Sequence, residues 1–185
     1  MKAIFLNTIS LCILSIIFVG SPAAWAVQST TGTELDFSGT LVDEPCTVAV
    51  DDTDIQLDFG SIIDKGLYDE NRSPIQPFTI HLVDCNIDEW GGSGDVTTRF
   101  EGTQSVELPG YLALNDASMG VAIGINEADG SFLGLGKNSQ PQKLADGSLE
   151  LNYEAFVQVE PTAQEKQSIA LGSFSATATF FLEYP

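Results

Sequence analysis

The chain has 185 residues, with 7 Lys plus Arg against 26 Asp plus Glu and a formal charge of −19 at pH 7. A surface this acidic repels phosphate backbones, which argues against nucleic acid as a partner. Beyond the N-terminus no run approaches the ~20 apolar residues of a spanning helix, and the length suits one domain with a real core.

Residues 1–26 read as an export signal: Lys2 at the start, an almost wholly apolar Ile4 to Val19, and Ala24-Trp25-Ala26 as a cleavage site. An N-terminal anchor is the alternative, but the apolar core is short and the small-residue site follows it at the usual distance. Cleavage leaves 159 of the 185 residues, beginning at Val27, and without Lys2 the charge becomes −20. Cys12 departs with the signal, leaving Cys46 and Cys85. One cysteine pair in an oxidising compartment is expected to form a disulfide. Such a bond closes a loop of about 40 residues, for which chain entropy gives roughly 4 kcal/mol. Two free thiols serving as metal ligands or nucleophile are the alternative, with His81 a poor third member.

Val27 to Glu34 is polar and small, and reads as a flexible arm. Leu35, Phe37, Gly39 and Leu41 then alternate with polar residues as a first strand. The same register runs back through Thr33, Thr31, Ser29 and Val27, so the arm is in phase with the strand it precedes. Thr47–Val50 and Ile55–Phe59 are short strands split by Asp51-Asp52-Thr53-Asp54, whose spacing fits a solvated acidic turn better than a calcium loop. Lys65 to Gln76 reads as loop, punctuated by Gly66, Asn71 and Pro74.

Phe78, Ile80 and Leu82 alternate into Cys85, with His81 on the outward phase as a surface residue. Glu89 to Asp95 is a glycine-rich turn leading into a strand, Val96–Phe100; a phosphate cradle would lead into a helix. Tyr111–Leu114 and Val121–Ile125 give two more strands, and Ala128–Ser131 a hairpin-type turn. Phe132 to Gly147 reads as a long loop. Leu149 to Glu160 alternates cleanly except at Phe156, and Pro161 to Leu171 has room for one helical turn.

The last segment, Gly172 to Pro185, has Phe174, Ala176, Ala178, Phe180, Leu182 and Tyr184 on one side and Ser175, Thr177, Thr179, Phe181 and Glu183 on the other. That is a strand with one buried face. An apolar strand left at an open sheet edge recruits other chains, so something must cover it. Eight or nine short strands at 8–12-residue intervals without a long helix predict an all-β antiparallel sandwich, most economically of immunoglobulin type.

In this order the pieces resemble the pilin subunits of chaperone–usher fimbriae. Phe37-Ser-Gly-Thr-Leu-Val-Asp-Glu-Pro-Cys46 resembles that family's first strand and first cysteine. Asn71-Arg-Ser-Pro74 and Phe78-Thr-Ile-His-Leu-Val-Asp-Cys85 resemble the approach to its second. Leu108-Pro-Gly110 and Gly120-Val-Ala-Ile-Gly124 are similar to minor pilins of the P-pilus tip. Gly172 fourteenth from the end, the alternation after it and the penultimate Tyr184 match the family's C-terminal signature.

The resemblance implies an incomplete immunoglobulin-like sandwich lacking its final strand, completed by a donated strand. A periplasmic chaperone lends that strand first; at the outer-membrane usher, the N-terminal arm of a neighbouring pilin subunit replaces it. On this basis residues 27–36 form a donor extension and 37–185 the pilin domain. The donor residues are Val27, Ser29, Thr31, Thr33, Leu35 and Phe37. The chaperone and acceptor edge is Gly172, Phe174, Ala176, Ala178, Phe180, Leu182 and Tyr184, and Cys46–Cys85 staples the domain. The arm departs from the family in carrying Ser and Thr where bulky apolar residues are usual. The implied function is a structural subunit, minor or adaptor in type, exported through the periplasm to a surface fimbrium that supports cell adhesion. The competing function is a secreted sandwich adhesin that holds sugar on Trp90, Tyr111 or Phe156. No catalytic group, metal cluster or cofactor motif is legible; one His and no nucleophile elbow argue against an enzyme.

Overall fold

A computed structural model describes residues 44–87 and 94–185. The export signal, the arm with Val27, Ser29, Thr31, Thr33 and Leu35, Phe37 in the first strand, and Trp90 lie outside the described residues. The described elements are β1 (Thr47–Val48), α1 (Asp64–Glu70), β2 (Gln76–Cys85), β3 (Asp95–Glu101), β4 (Leu112–Ala113), β5 (Val121–Glu127), β6 (Gln142–Lys143), β7 (Gly147–Val159), α2 (Pro161–Lys166) and β8 (Thr179–Glu183).

They form two antiparallel sheets, one ordered β1-β2-β7-β5-β4 and the other β6-β3-β8. Alternation dictates which side chains meet between them. Phe78, Ile80 and Leu82 of β2 stand opposite Tyr153, Leu151 and Leu149 of β7, and Ile123 and Ile125 of β5 stand opposite Val157 and Ala155. Their inward faces share one core with Val96 and Phe100 of β3. Phe100 packs edge-on against Phe78 and Tyr153, with ring centroids 5.9 and 5.1 Å apart, so the two sheets meet at an aromatic cluster.

Phe156, out of phase in the sequence, lies on the outer face of β7 directly over Gly124 of β5. Tyr111 meets it edge-on, Phe132 stacks on Tyr111, and the Arg72 guanidinium lies 5.4 Å from the Phe156 ring centre. Phe156 is therefore 3% exposed, a packed residue and no exposed contact for a sugar.

Four expectations are corrected. Residues 65–76 are not all loop: α1 occupies Asp64–Glu70 and ends at Asn71 in the left-handed region, φ 62°. Its seven residues bury only Leu67, too few positions for a helical period to show. Residues 55–59 alternate as expected but pair with no described strand. The C-terminal strand is laddered only over Thr179–Glu183; the stretch before it runs on past the end of β3 at Glu101. The loop expected over residues 132–147 is interrupted by β6, which pairs with Asp95 and Val96 of β3. The other strands anticipated within the described residues are present, and α2 supplies the helical turn allowed after Pro161.

Cys46 and Cys85 are bonded, and Asn86 N–H donates to the Pro45 carbonyl beside them at 2.8 Å. The bond joins the start of the described chain to the end of β2. Replacing both cysteines by Ser is expected to lower the unfolding free energy of the domain completed by a bound strand by about 2–4 kcal/mol, read from urea unfolding with an m-value that rises because the unfolded chain is no longer cross-linked.

Candidate strand-acceptor groove

An elongated groove of about 800 Å³ opens in the described domain. One wall is residues 174–180, the other residues 53–57 and 59, and the floor includes Phe78, Phe100, Leu112, Ile123, Ile125 and Ala155. Seven residues of wall at ~3.3 Å each give a length of about 20 Å. On the C-terminal wall Phe174, Ala176, Ala178 and Phe180 are half-buried against the core, while Ser175, Thr177 and Thr179 are exposed. The facing wall alternates likewise, with Ile55, Leu57 and Phe59 half-buried and Asp54, Gln56 and Asp58 exposed. Both walls are thus in strand phase, apolar toward the groove and polar toward solvent.

Backbone pairing explains why the groove stays open. β8 pairs only with β3 among the described strands, in register Phe100↔Phe180 and Thr98↔Leu182. Before Thr179 the C-terminal wall is held by the Ser175 carbonyl and hydroxyl, which accept from Asn115 N–H and Nδ2 at 2.8 Å each. Gly102 lets it pass: a Cβ there would collide with the Leu112 side chain and stand 3.2 Å from the Thr177 carbonyl. Gly172 opens the wall at φ 150°, a conformation that side-chain-bearing residues rarely adopt.

Tyr68 of α1 joins the approaches to the two walls: its hydroxyl accepts from Ile169 N–H at 2.9 Å, and its carbonyl accepts from Gln164 Nε2 at 2.8 Å. At the same end Phe59 and Phe174 bring their rings to 6.1 Å across the groove.

Two polar clusters fix the walls from outside. Asp52, just before the facing wall, accepts from both the backbone N–H and Nδ1 of His81 on β2, the latter at 2.7 Å. Burial pushes the Asp52 carboxyl up, but these bonds and the charge interaction with His81 outweigh it and hold the carboxyl below its ordinary value. On the outer face of β8, Glu183 accepts from Asn138 Nδ2 at 2.8 Å and from Arg99 Nε at 3.0 Å, which lowers its pKa also. Arg99 further pairs with Glu101 and lies over the Phe181 ring.

Of the anticipated edge residues, Phe174, Ala176, Ala178 and Phe180 line the groove. Leu182 and Tyr184 continue the half-buried face beyond it, and Gly172 precedes it exposed. The facing wall was legible only as the alternation of Ile55, Leu57 and Phe59; nothing in the sequence tied it to the C-terminus. His81 is on the surface, as expected, with a side chain 47% exposed.

Comparison with known proteins agrees with this architecture. Residues 35–185 match the family model described as fimbrial protein. The fimbrial adapter PapK of Escherichia coli is 33% identical over 168 residues, covering 88% of this chain and 93% of that protein. The major MR/P fimbria protein of Proteus mirabilis is 31% identical over 180 residues, 97% of this chain and 98% of that one. Among solved structures, the P pilus rod subunit PapA superposes with a TM-score of 0.66 at 26% identity, covering 77% of this chain and 100% of that chain. A subunit of a chaperone–usher pilus superposes with the same TM-score at 28% identity, over 84% and 97%. The chain belongs to the fimbrial protein family, as a structural subunit with an immunoglobulin-like pilin fold.

The lowered carboxyl groups set a pH dependence. Unfolded Asp and Glu titrate near ~3.9 and ~4.3; Asp52 and Glu183 titrate below that when folded. The unfolded chain therefore takes up protons first, and the stability these groups contribute is complete above about pH 4–5 and lost as pH falls through their folded values. The urea midpoint of the domain completed by a bound strand is expected to drop below pH 4, and Asp52→Asn to flatten part of that drop.

Proposed function

We propose that the groove receives a donated strand, first from a periplasmic chaperone and then, at an outer-membrane usher, from the N-terminal arm of a neighbouring subunit. The observation that carries this reading is the groove itself: two walls in strand phase, apolar inward, over a floor of core residues. Backbone hydrogen bonding to the outer edge of β8 supplies affinity, and alternate side chains entering between the walls set register. Residues 1–26 direct export, 27–36 form the arm given to a neighbour, and 37–185 form the domain carried to a cell-surface fimbrium. The likeness to PapK, itself described as an adapter, supports a minor or adaptor place in the fibre.

Expression of the chain with and without its chaperone tests this. Alone, the protein is expected to aggregate or be degraded; with chaperone it forms a soluble one-to-one complex, lost on deleting residues 177–185. A stable folded monomer without chaperone would refute the proposal.

Ala176 and Ala178 are the low points of the C-terminal wall, where incoming side chains need room. Ala176→Phe with Ala178→Phe is expected to weaken strand uptake roughly tenfold or more, the order that 1–3 kcal/mol of overpacking gives. Thr177→Val, on the solvent side, is expected to leave uptake near wild type in the same titration.

A further inference from the structure

The strand-accepting groove also carries information about which strand it accepts, and this inference rests on the reading above. Its inward surface is apolar on both walls and the floor, and the small Ala176 and Ala178 leave depth for bulky side chains. Its outward rim is asymmetric in charge. The facing wall presents Asp54, Gln56 and Asp58 to solvent, whereas the C-terminal wall presents Ser175, Thr177 and Thr179. Among the described residues the Asp54 and Asp58 carboxylates make local contacts, to Gln56 Nε2 at 3.3 Å and to Gly60 N–H at 2.8 Å. Neither contact brings a positive charge.

A strand seated between the walls places alternate residues inward and the others beside that rim. Cross-strand neighbours of like charge repel, and those of opposite charge attract. The matching strand therefore has bulky apolar residues at alternate positions and basic or uncharged residues between them.

The chain's own arm fails this match in both registers. With Val27, Ser29, Thr31, Thr33 and Leu35 inward, three hydroxyl side chains enter an apolar groove and leave much of its depth unfilled. Glu34 and Asp36 then stand on the outward face, on the side of Asp54 and Asp58. Shifting by one residue reverses every side chain, and Glu34 and Asp36 enter the apolar floor as unpaired carboxylates. Residues 27–43 contain no Lys or Arg that could compensate.

We propose that the groove selects a strand from a different protein, with bulky apolar residues inward and basic or uncharged residues outward, and that this chain does not polymerise with itself.

The test uses the full mature chain refolded in the presence of synthetic peptides, with soluble monomeric complex scored by size exclusion and intact mass. One peptide is residues 27–38 as they stand. The second carries Ser29→Ile, Thr31→Val, Thr33→Ile, Glu34→Lys and Asp36→Lys, and the third carries only the two lysine changes. The second is expected to bind at least a hundredfold more tightly than the first, with an advantage that shrinks between 20 and 300 mM salt. The third is expected to fall between them. Asp54→Asn with Asp58→Asn keeps both carbonyl acceptors and is expected to remove the salt-dependent part of the difference. Equal binding of all three peptides, or ready self-assembly of the mature chain into fibres, overturns the selectivity while leaving strand acceptance intact. Failure of every peptide to bind, with the chain soluble alone, overturns strand acceptance itself and the selectivity with it.

Discussion

Phe174, Phe180, Ile55, Leu57 and Phe59 line a groove whose floor is the inward surface of the sandwich itself, and none of them is fully covered by the described chain. Apolar surface left facing water weighs against folding at about 25 cal/mol per Å², and β8 adds an outer edge that no described strand pairs. Both deficits have the same remedy, one more strand laid between the walls. The remaining features can be understood as holding the rest of the domain in shape around that gap. The disulfide ties the lead-in to β1 to the end of β2, the aromatic cluster at Phe78, Phe100 and Tyr153 joins the two sheets, and the Arg99–Glu183 contacts fasten β8 to its one described partner strand.

The sequence revealed what depends on period two and little of what depends on pairing. The inward sets of β2, β7 and β8 are visible as alternation, because a strand with one wet face must write that face into its residues. Phe156 broke the pattern for a reason that lies on another strand, at Gly124, and on Tyr111 in a separate segment. α1 was hidden because seven residues with one buried leucine contain no period to detect. The C-terminal half of the site was legible since its residues are consecutive. The facing wall was seen as a strand but not as part of the site, since the distance between Ile55–Phe59 and Phe174–Phe180 is set by the folded chain alone.

Charge distribution follows the same division. The excess of acidic residues was plain in the composition, but its placement was not. In the structure Asp52 is withdrawn into a bonded pair with His81, while Asp54 and Asp58, a few residues on, stay in water along the groove rim. One acidic turn thus contributes both an internal fastening and an external field.

Tyr68 brings together α1, which follows one wall, and the segment that leads into the other; its partners Gln164 and Ile169 lie 96 and 101 residues away in sequence. A site assembled from such distant segments has no local precursor. Contacts of this separation form late, since loop closure must precede any gain from them. The wall at residues 174–180 and the facing wall at residues 53–59 are likewise far apart along the chain. The groove therefore comes into being only when these distant segments have been brought together, and until then its apolar residues are exposed as separate short segments with no shared cleft for a partner to find.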